Sequence, residues 1–176
     1  MDMGNLVFVD ESGAKTNMTR LYGRAMAGQR AVDNTPSGHW QTTTMISSVR
    51  LDGSTACMVV DGATNKDVFE AYVQQILLPS LKKGDIVVLD NLSAHKNQRI
   101  QELIKSVGAE LWYLPAYSPD LNPIEKMWSK VKSILRMLKA RTKDALIGAI
   151  AKALDMVTAS DAKGWFESCG YVNTIN

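Results

Sequence analysis

At 176 residues the chain has the length of one domain with its own core. Hydrophobic residues make up 45% and charged residues 22%, a composition that excludes a disordered segment, and no apolar run approaches the ~20 residues of a membrane span. A formal net charge of +2 excludes a strongly basic nucleic-acid binder, so any such contact has to come from local clusters of Lys and Arg.

The first element is the apolar run Leu6-Val7-Phe8-Val9, a strand buried on both faces and ending at Asp10. By strand alternation Asp10 shares a side with Phe8, and Glu11 points the other way. Residues 11–38 are polar and rich in turn formers, and they read as an extended hairpin or loop. They carry Arg20, Arg24 and Arg30 with Tyr22 among them, a mixture that suits either a solvated loop or contact with phosphates and bases. Gln41 to Val49 and Ser54 to Val60 are β-branched and flank Asp52-Gly53, which predicts a hairpin. Three antiparallel strands should therefore come first.

A helix is expected over residues 65–82, where Val68, Phe69, Tyr72, Val73, Ile76 and Leu77 recur at helical spacing and Thr64 precedes Asp67 in a capping arrangement. Lys83-Gly84-Asp85 turns it into the strand Ile86 to Leu89, which ends on Asp90 and Asn91. Strand, helix, strand is a crossover that makes the two strands parallel. A second helix over 97–107 ends at Gly108, and a short strand follows over 110–114. Pro123 then opens a helix to about Leu138, with Asn122 as its N-cap and Glu125 at its third position, the spacing of a capping box. Further helices are expected over 142–157 and 161–168. Cys57 and Cys169 lack metal-ligand spacing and read as free thiols of a reducing compartment. The start, Met1-Asp2-Met3-Gly4-Asn5, is acidic and unlike a secretion signal, so a cytoplasmic protein without membrane contact is expected.

The acids sit in a suggestive pattern. Asp10 and Asp90 each follow an apolar strand, and Glu125 opens a helix with 34 residues (91–124) between it and Asp90. Taken alone, either aspartate reads as a turn residue and Glu125 as part of a helix cap. Taken together, two strand-end aspartates and a helix-borne glutamate form the donor set that holds two divalent ions over a phosphodiester. Hard carboxylate oxygens select Mg²⁺, with Mn²⁺ as substitute, over zinc. On the helix of Glu125, a stripe of Ser129, Lys132 and Arg136 continues from the carboxylate, as a DNA-backbone surface or as a solvated face. Lys126 and Lys130 lie further round, as plain solvent charges. Trp112 and Tyr117 read as core residues in preference to stacking platforms.

Three segments resemble a known family: Val9-Asp10-Glu11-Ser12, Leu89-Asp90-Asn91-Leu92-Ser93-Ala94-His95-Lys96, and Leu114 to Trp128 with Tyr-Ser-Pro-Asp-Leu-Asn-Pro-Ile-Glu inside it. They look like the catalytic domain of a DDE transposase of the mariner superfamily, from its bacterial insertion-sequence branch. The resemblance covers roughly Leu6 to Leu138. It implies a ribonuclease H-like α/β fold: a five-stranded mixed sheet, three antiparallel then parallel strands, helices on both faces, and extra C-terminal helices. The chain is then a single catalytic domain over 1–176, with a core over about 6–140 and C-terminal helices over about 141–170.

The resemblance also implies a function. The catalytic and metal-binding residues would be Asp10, Asp90 and Glu125, holding two Mg²⁺ ions. Phosphodiester bonds at transposon ends would be hydrolysed, and the freed 3′-hydroxyl transferred into target DNA. Arg20, Arg24, Arg30, His95, Lys132 and Arg136 would meet DNA, and Glu11 and Asn91 would support the carboxylates. Double-stranded DNA and a second copy in a synaptic dimer are the implied partners, in the bacterial nucleoid. The helix-turn-helix module usual in this superfamily is absent from the sequence, so either the chain is an isolated catalytic part or a separate N-terminal half would read the ends. Two alternatives stay open: another metal nuclease of the same fold, acting on RNA–DNA hybrids or junctions, and a non-catalytic remnant that binds DNA or protein.

Overall fold

The computed structural model describes residues 2–90 and 97–171. The apolar run at Leu6 begins the central strand, β1 (Leu6–Lys15). β2 (Thr42–Arg50) pairs with it antiparallel from Val7–Arg50 to Lys15–Thr42, and β3 (Thr55–Asp61) pairs antiparallel with β2. On the other side of β1 lies β4 (Ile86–Leu89), then β5 (Glu110–Tyr113), both parallel to their inner neighbours. The spatial order is β3-β2-β1-β4-β5. This is the expected mixed sheet.

Period-two alternation in β1 splits the core into two layers. Leu6 and Phe8 face one side and pack with α3 (Pro123–Leu138), α4 (Lys143–Asp155) and α5 (Ala159–Ser168). Val7 and Val9 face the other and pack with α1 (Lys66–Tyr72) and α2 (Gln98–Ser106). Helices thus cover both faces. On the first face Phe8 meets the ring of Phe166 edge-on at 5.2 Å and that of Tyr171 at 5.0 Å, which ties the C-terminal segment to the central strand.

Several elements depart from the sequence reading. β1 does not stop at Asp10: it runs on to Lys15, because β2 supplies an antiparallel partner over that whole length. Its parallel partner β4 pairs only with Leu6 to Phe8. Asp10 therefore sits just past the place where β4 leaves β1, and Asp90 follows the last residue of β4. Residues 16–41 form no regular hairpin; Leu21, Tyr22, Met26 and Val32 there are exposed. This arm is fastened in its middle by Lys139 on Asp33 at 2.6 Å and at its start by Arg141 Nη1, which donates to the carbonyls of Thr16 and Met18. The helix over 65–82 is shorter than expected. It passes at Val73 into a π-helical turn and at Leu78 into a 3₁₀ turn, and its cap is Asn65, which accepts from the Val68 amide, while Thr64 makes no cap. α5 starts two residues before the expected position, because Thr158 and Asp161 form a reciprocal capping box.

Candidate active site

The carboxylates arrive from three directions. Asp10 stands on β1, Asp90 follows β4, and Glu125 is exposed in the first turn of α3. α3 is helical because Pro123 starts it and an apolar arc anchors it: Ile124, Met127, Trp128, Val131 and Leu135 are almost fully buried. That arc fixes the helix's rotation and leaves Glu125 at its edge, facing the sheet. Asp10, Asp90 and Glu125 line one cleft of about 310 Å³, walled by Leu114 to Pro119 and floored by Asn122. Tyr117 in that wall takes a left-handed backbone, φ 58°, and is fully exposed.

The electrostatics of the cleft centre on Asp10. Burial pushes its carboxyl up from the ordinary carboxylate range to about 7, and the negative charges of Glu125 and Asp90 push the same way. The Glu11 backbone amide and the Trp128 indole oppose this by hydrogen-bonding the charged form. Trp128 Nε1 donates to Asp10 Oδ2 at 3.2 Å.

The donor set fits a hard divalent cation. It is all carboxylate oxygen, it collects negative charge on one buried acid, and a cation entering the cleft would relieve that charge. Among the described residues, however, no three Asp, Glu, His or Cys side chains converge tightly enough to enclose one ion. The cleft gathers the acids without drawing them into a finished cage.

The remaining expected site residues scatter. Glu11 points away from the cleft by alternation and contributes its backbone amide to Asp10. Asn91 and His95 lie outside the described residues. Arg20 and Tyr22 share a groove with Ser129, Ser133 and Arg136 of α3. Arg24 and Arg30 line a neighbouring hollow closed by Asp33 and Lys139. Asp10, Asp90 and Glu125 line neither space, so these arginines form a separate basic surface beside the cleft. Lys132 is half-buried on α3.

Three side chains play parts other than those expected. Lys130 is no free solvent charge: it bridges α3 to α5, donating to Asp161 Oδ2 at 2.5 Å and to the Met156 carbonyl at 2.7 Å. Asp161 is held down at about 2 by Lys130 and by the Thr158 hydroxyl and amide. Trp112 and Tyr117 are exposed, not core. Trp128 and Asn122 are the site residues that sequence reasoning missed. For Trp128 a signal existed, since a buried indole N–H needs a partner.

The family model for DDE superfamily endonuclease matches residues 5–147. The chain belongs to that family. Among relatives of this DDE endonuclease domain, the Tc1 transposase of Caenorhabditis elegans is 24% identical over 102 residues, which cover 58% of this chain and 37% of that protein. The Tcb2 transposase of Caenorhabditis briggsae is 27% identical over 85 residues, covering 46% and 31%. The matched region thus spans about a third of the length of these relatives. Among solved structures, the Mos1 strand transfer complex superposes with a TM-score of 0.70 at 14% identity, over 95% of this chain and 52% of that one. The catalytic domain of Mos1 mariner transposase gives 0.62 at 13% identity, over 95% and 78%. At such identities the likeness concerns the fold, and it makes the DDE domain ribonuclease H-like. Among the described residues no helix is long and apolar enough to cross a membrane.

Proposed function

We propose that this chain is the catalytic core of a DNA transposase, of the bacterial insertion-sequence branch of the mariner superfamily. It cleaves phosphodiester bonds at transposon ends and joins the 3′-hydroxyl to target DNA. The observation that carries this reading is the convergence of Asp10, Asp90 and Glu125 on one cleft, where Asp10 feels the charge of both other acids. The Tc1 and Tcb2 relatives are transposases, and Mos1 has been solved in paired-end and strand-transfer complexes and with Mg or Mn, which supports the same partners and ions here.

Asp10, Asp90 and Glu125 are the residues to hold two Mg²⁺ or Mn²⁺ ions. Bound there, the ions supply the positive charge that activates the attacking oxygen and stabilises the leaving one. The protein's share is positioning. Trp128 fixes one oxygen of Asp10, β1 and β4 fix the two aspartates side by side, and α3 carries Glu125 in from above the sheet. The wall of Leu114 to Pro119 limits water on one side. The basic surface of Arg20, Arg24, Arg30, Lys132 and Arg136 lies to the side, where the DNA backbone would run, and its charge compensates for a net charge of only +2. A second copy in the synaptic complex and action at the bacterial nucleoid complete the proposal.

The test is incubation of the purified chain with supercoiled plasmid and Mn²⁺, beside Asp90→Asn and a chelator control. Nicking that needs metal and vanishes in the variant is the expected result. Nicking that persists in Asp90→Asn would overturn the assignment. If neither protein nicks, Mn²⁺ titration decides, and no binding in the wild type favours a non-catalytic remnant.

A further inference from the structure

Asn122 has the position of a helix cap without the work of one. Four α-helices of the described residues are capped by the side chain that precedes them: Asn65 accepts from the Val68 amide at 2.9 Å, Asn97 from Arg99 at 3.0 Å, Thr142 from Ala145 at 3.2 Å and Thr158 from Asp161 at 3.1 Å. α3 differs. Its Asn122 is in extended backbone, φ −110° and ψ 97°, with Pro123 next, the arrangement in which Asn is among the best caps. Yet its side chain makes no capping bond, and the Glu125 amide turns to the Asn122 backbone carbonyl at 3.2 Å. The capping box that the spacing of Asn122 and Glu125 allows is therefore not formed.

The freed side chain is not in solvent. Asn122 is 5% exposed, and its Oδ1 is fully buried with no hydrogen-bond partner among the described residues. It lines the cleft with Asp10, Asp90 and Glu125. A buried carbonyl oxygen without a donor is unfavourable, and a good donor lies within local reach in the first turn of α3. An oxygen that forgoes its cap in a cleft of carboxylates is placed for a positive partner.

We infer that Asn122 adds a neutral oxygen to the carboxylate cleft and helps hold a divalent cation there, directly or through one of the ion's waters. This rests on the metal-dependent reading above. A carboxamide oxygen is a hard donor that suits Mg²⁺ or Mn²⁺. It raises coordination without adding to the charge that already burdens Asp10.

The experiment is calorimetric titration of Mn²⁺ into the whole chain, for wild type, Asn122→Ala and Asn122→Asp, with thermal melts of each in chelator. Loss of a supporting oxygen typically weakens metal affinity about 10- to 100-fold, so Asn122→Ala should bind at least ~10-fold more weakly. Its melting temperature in chelator should match or exceed the wild type, because the unpaired acceptor is gone. Asn122→Asp keeps the shape, so it tests the same point if the alanine variant folds poorly. It should melt lower in chelator, where it adds like charge, and bind Mn²⁺ more tightly. Wild-type affinity in both variants would overturn the inference, as would a lower melting temperature of Asn122→Ala with unchanged affinity, the mark of a plain helix cap. Failure of the wild type itself to bind Mn²⁺ is a different result: it removes the metal-dependent reading and this inference together.

Discussion

Trp128 reaches across 118 positions of sequence to Asp10, donating its indole N–H to the carboxylate at 3.2 Å. The ring is 2% exposed, so one residue both fills the core beneath α3 and steadies the acid at the centre of the cleft. Trp128→Phe keeps most of the packing and removes the bond. Asp10 then loses a group that favours its charged form, and its proton affinity rises further above the present value of about 7. A Mn²⁺ ion held as proposed would compete with that proton. The variant should therefore bind Mn²⁺ several-fold more weakly at pH 6.5 and closer to wild type at pH 8.5, where the carboxyl is more nearly ionised in both. Paired titrations at the two pH values check this, and a deficit equal at both would assign Trp128 to geometry alone.

The raised proton affinity of Asp10 is also a statement about stability. An acid whose folded value is about 7, against an ordinary 3.8, favours the folded state most at low pH. That contribution is complete below about pH 4 and is lost as pH rises through 7. Above pH 7 the metal-free protein carries the whole penalty, at most about 4 kcal/mol and less once the cleft relaxes. Asp10→Asn removes the titration and can still accept from Trp128. Urea unfolding in chelator should find the variant a few kcal/mol more stable than wild type at pH 8, with the gain fading towards pH 4.5. A gain that does not vary with pH would mean that Asp10 does not titrate in this range.

The sequence made these acids visible because strand ends and helix starts carry local signals. Asp10 follows four apolar residues, Asp90 follows Ile86 to Leu89, and Pro123 marks the helix of Glu125. The crossover through α1 makes β4 run parallel to β3, and so to β1, but it does not decide that β4 lies beside β1 instead of β3; packing of the whole sheet does. What escaped was settled by partners distant in sequence. The length of β1 depends on β2, which runs beside it to Lys15. Lys130 became a bridge only because α5 brings Asp161 beside it. Asn122 has ideal capping chemistry, and nothing local reveals that its side chain makes no cap and lies buried beside the cleft. Residues 16–41 carry arginines and aromatics that show what they could touch, but without alternation they do not specify a strand.

Tyr171 links the C-terminal segment to the wall of the cleft. Its hydroxyl donates to the Leu121 carbonyl at 2.8 Å while its ring rests on Phe8. Leu121 immediately precedes Asn122, so this bond steadies the chain that delivers both Asn122 and Glu125. Tyr171→Phe should lower stability by only about 1 kcal/mol, the worth of one ordinary hydrogen bond. Metal-dependent nicking should fall by more than that loss explains, at a temperature where the variant is fully folded. Melting curves and nicking rates measured on the same preparation separate the two effects; equal nicking would make the bond purely structural.

A buried ion pair guards the far end of β4. Arg50 Nη1 donates to Asp85 Oδ1 at 3.1 Å and Nη2 to Oδ2 at 2.5 Å, while Nη2 also reaches the Ser80 carbonyl at 2.9 Å. The Lys82 amide adds a bond to Asp85 Oδ2 at 2.6 Å. Burial by itself would raise the proton affinity of Asp85, but Arg50 and the Lys82 amide outweigh it and hold the carboxyl below the usual range. Its contribution is therefore present at neutral pH and lost as the solution is acidified below the ordinary value of 3.8. Asp85→Ala leaves a buried guanidinium uncompensated and should cost ~3–5 kcal/mol, whereas Arg50→Met with Asp85→Leu should cost much less, because both charges leave together. Asp85 precedes β4 and Asp90 follows it, so the pair and the carboxylate cleft lie at opposite ends of that strand. The double variant, once shown to fold by its denaturation curve, should bind Mn²⁺ within about two-fold of wild type, since it removes one positive and one negative charge together and leaves the net charge near the cleft unchanged. A larger loss would show that the register of β4 against β1, set at the Arg50 end, is transmitted along the strand to Asp90.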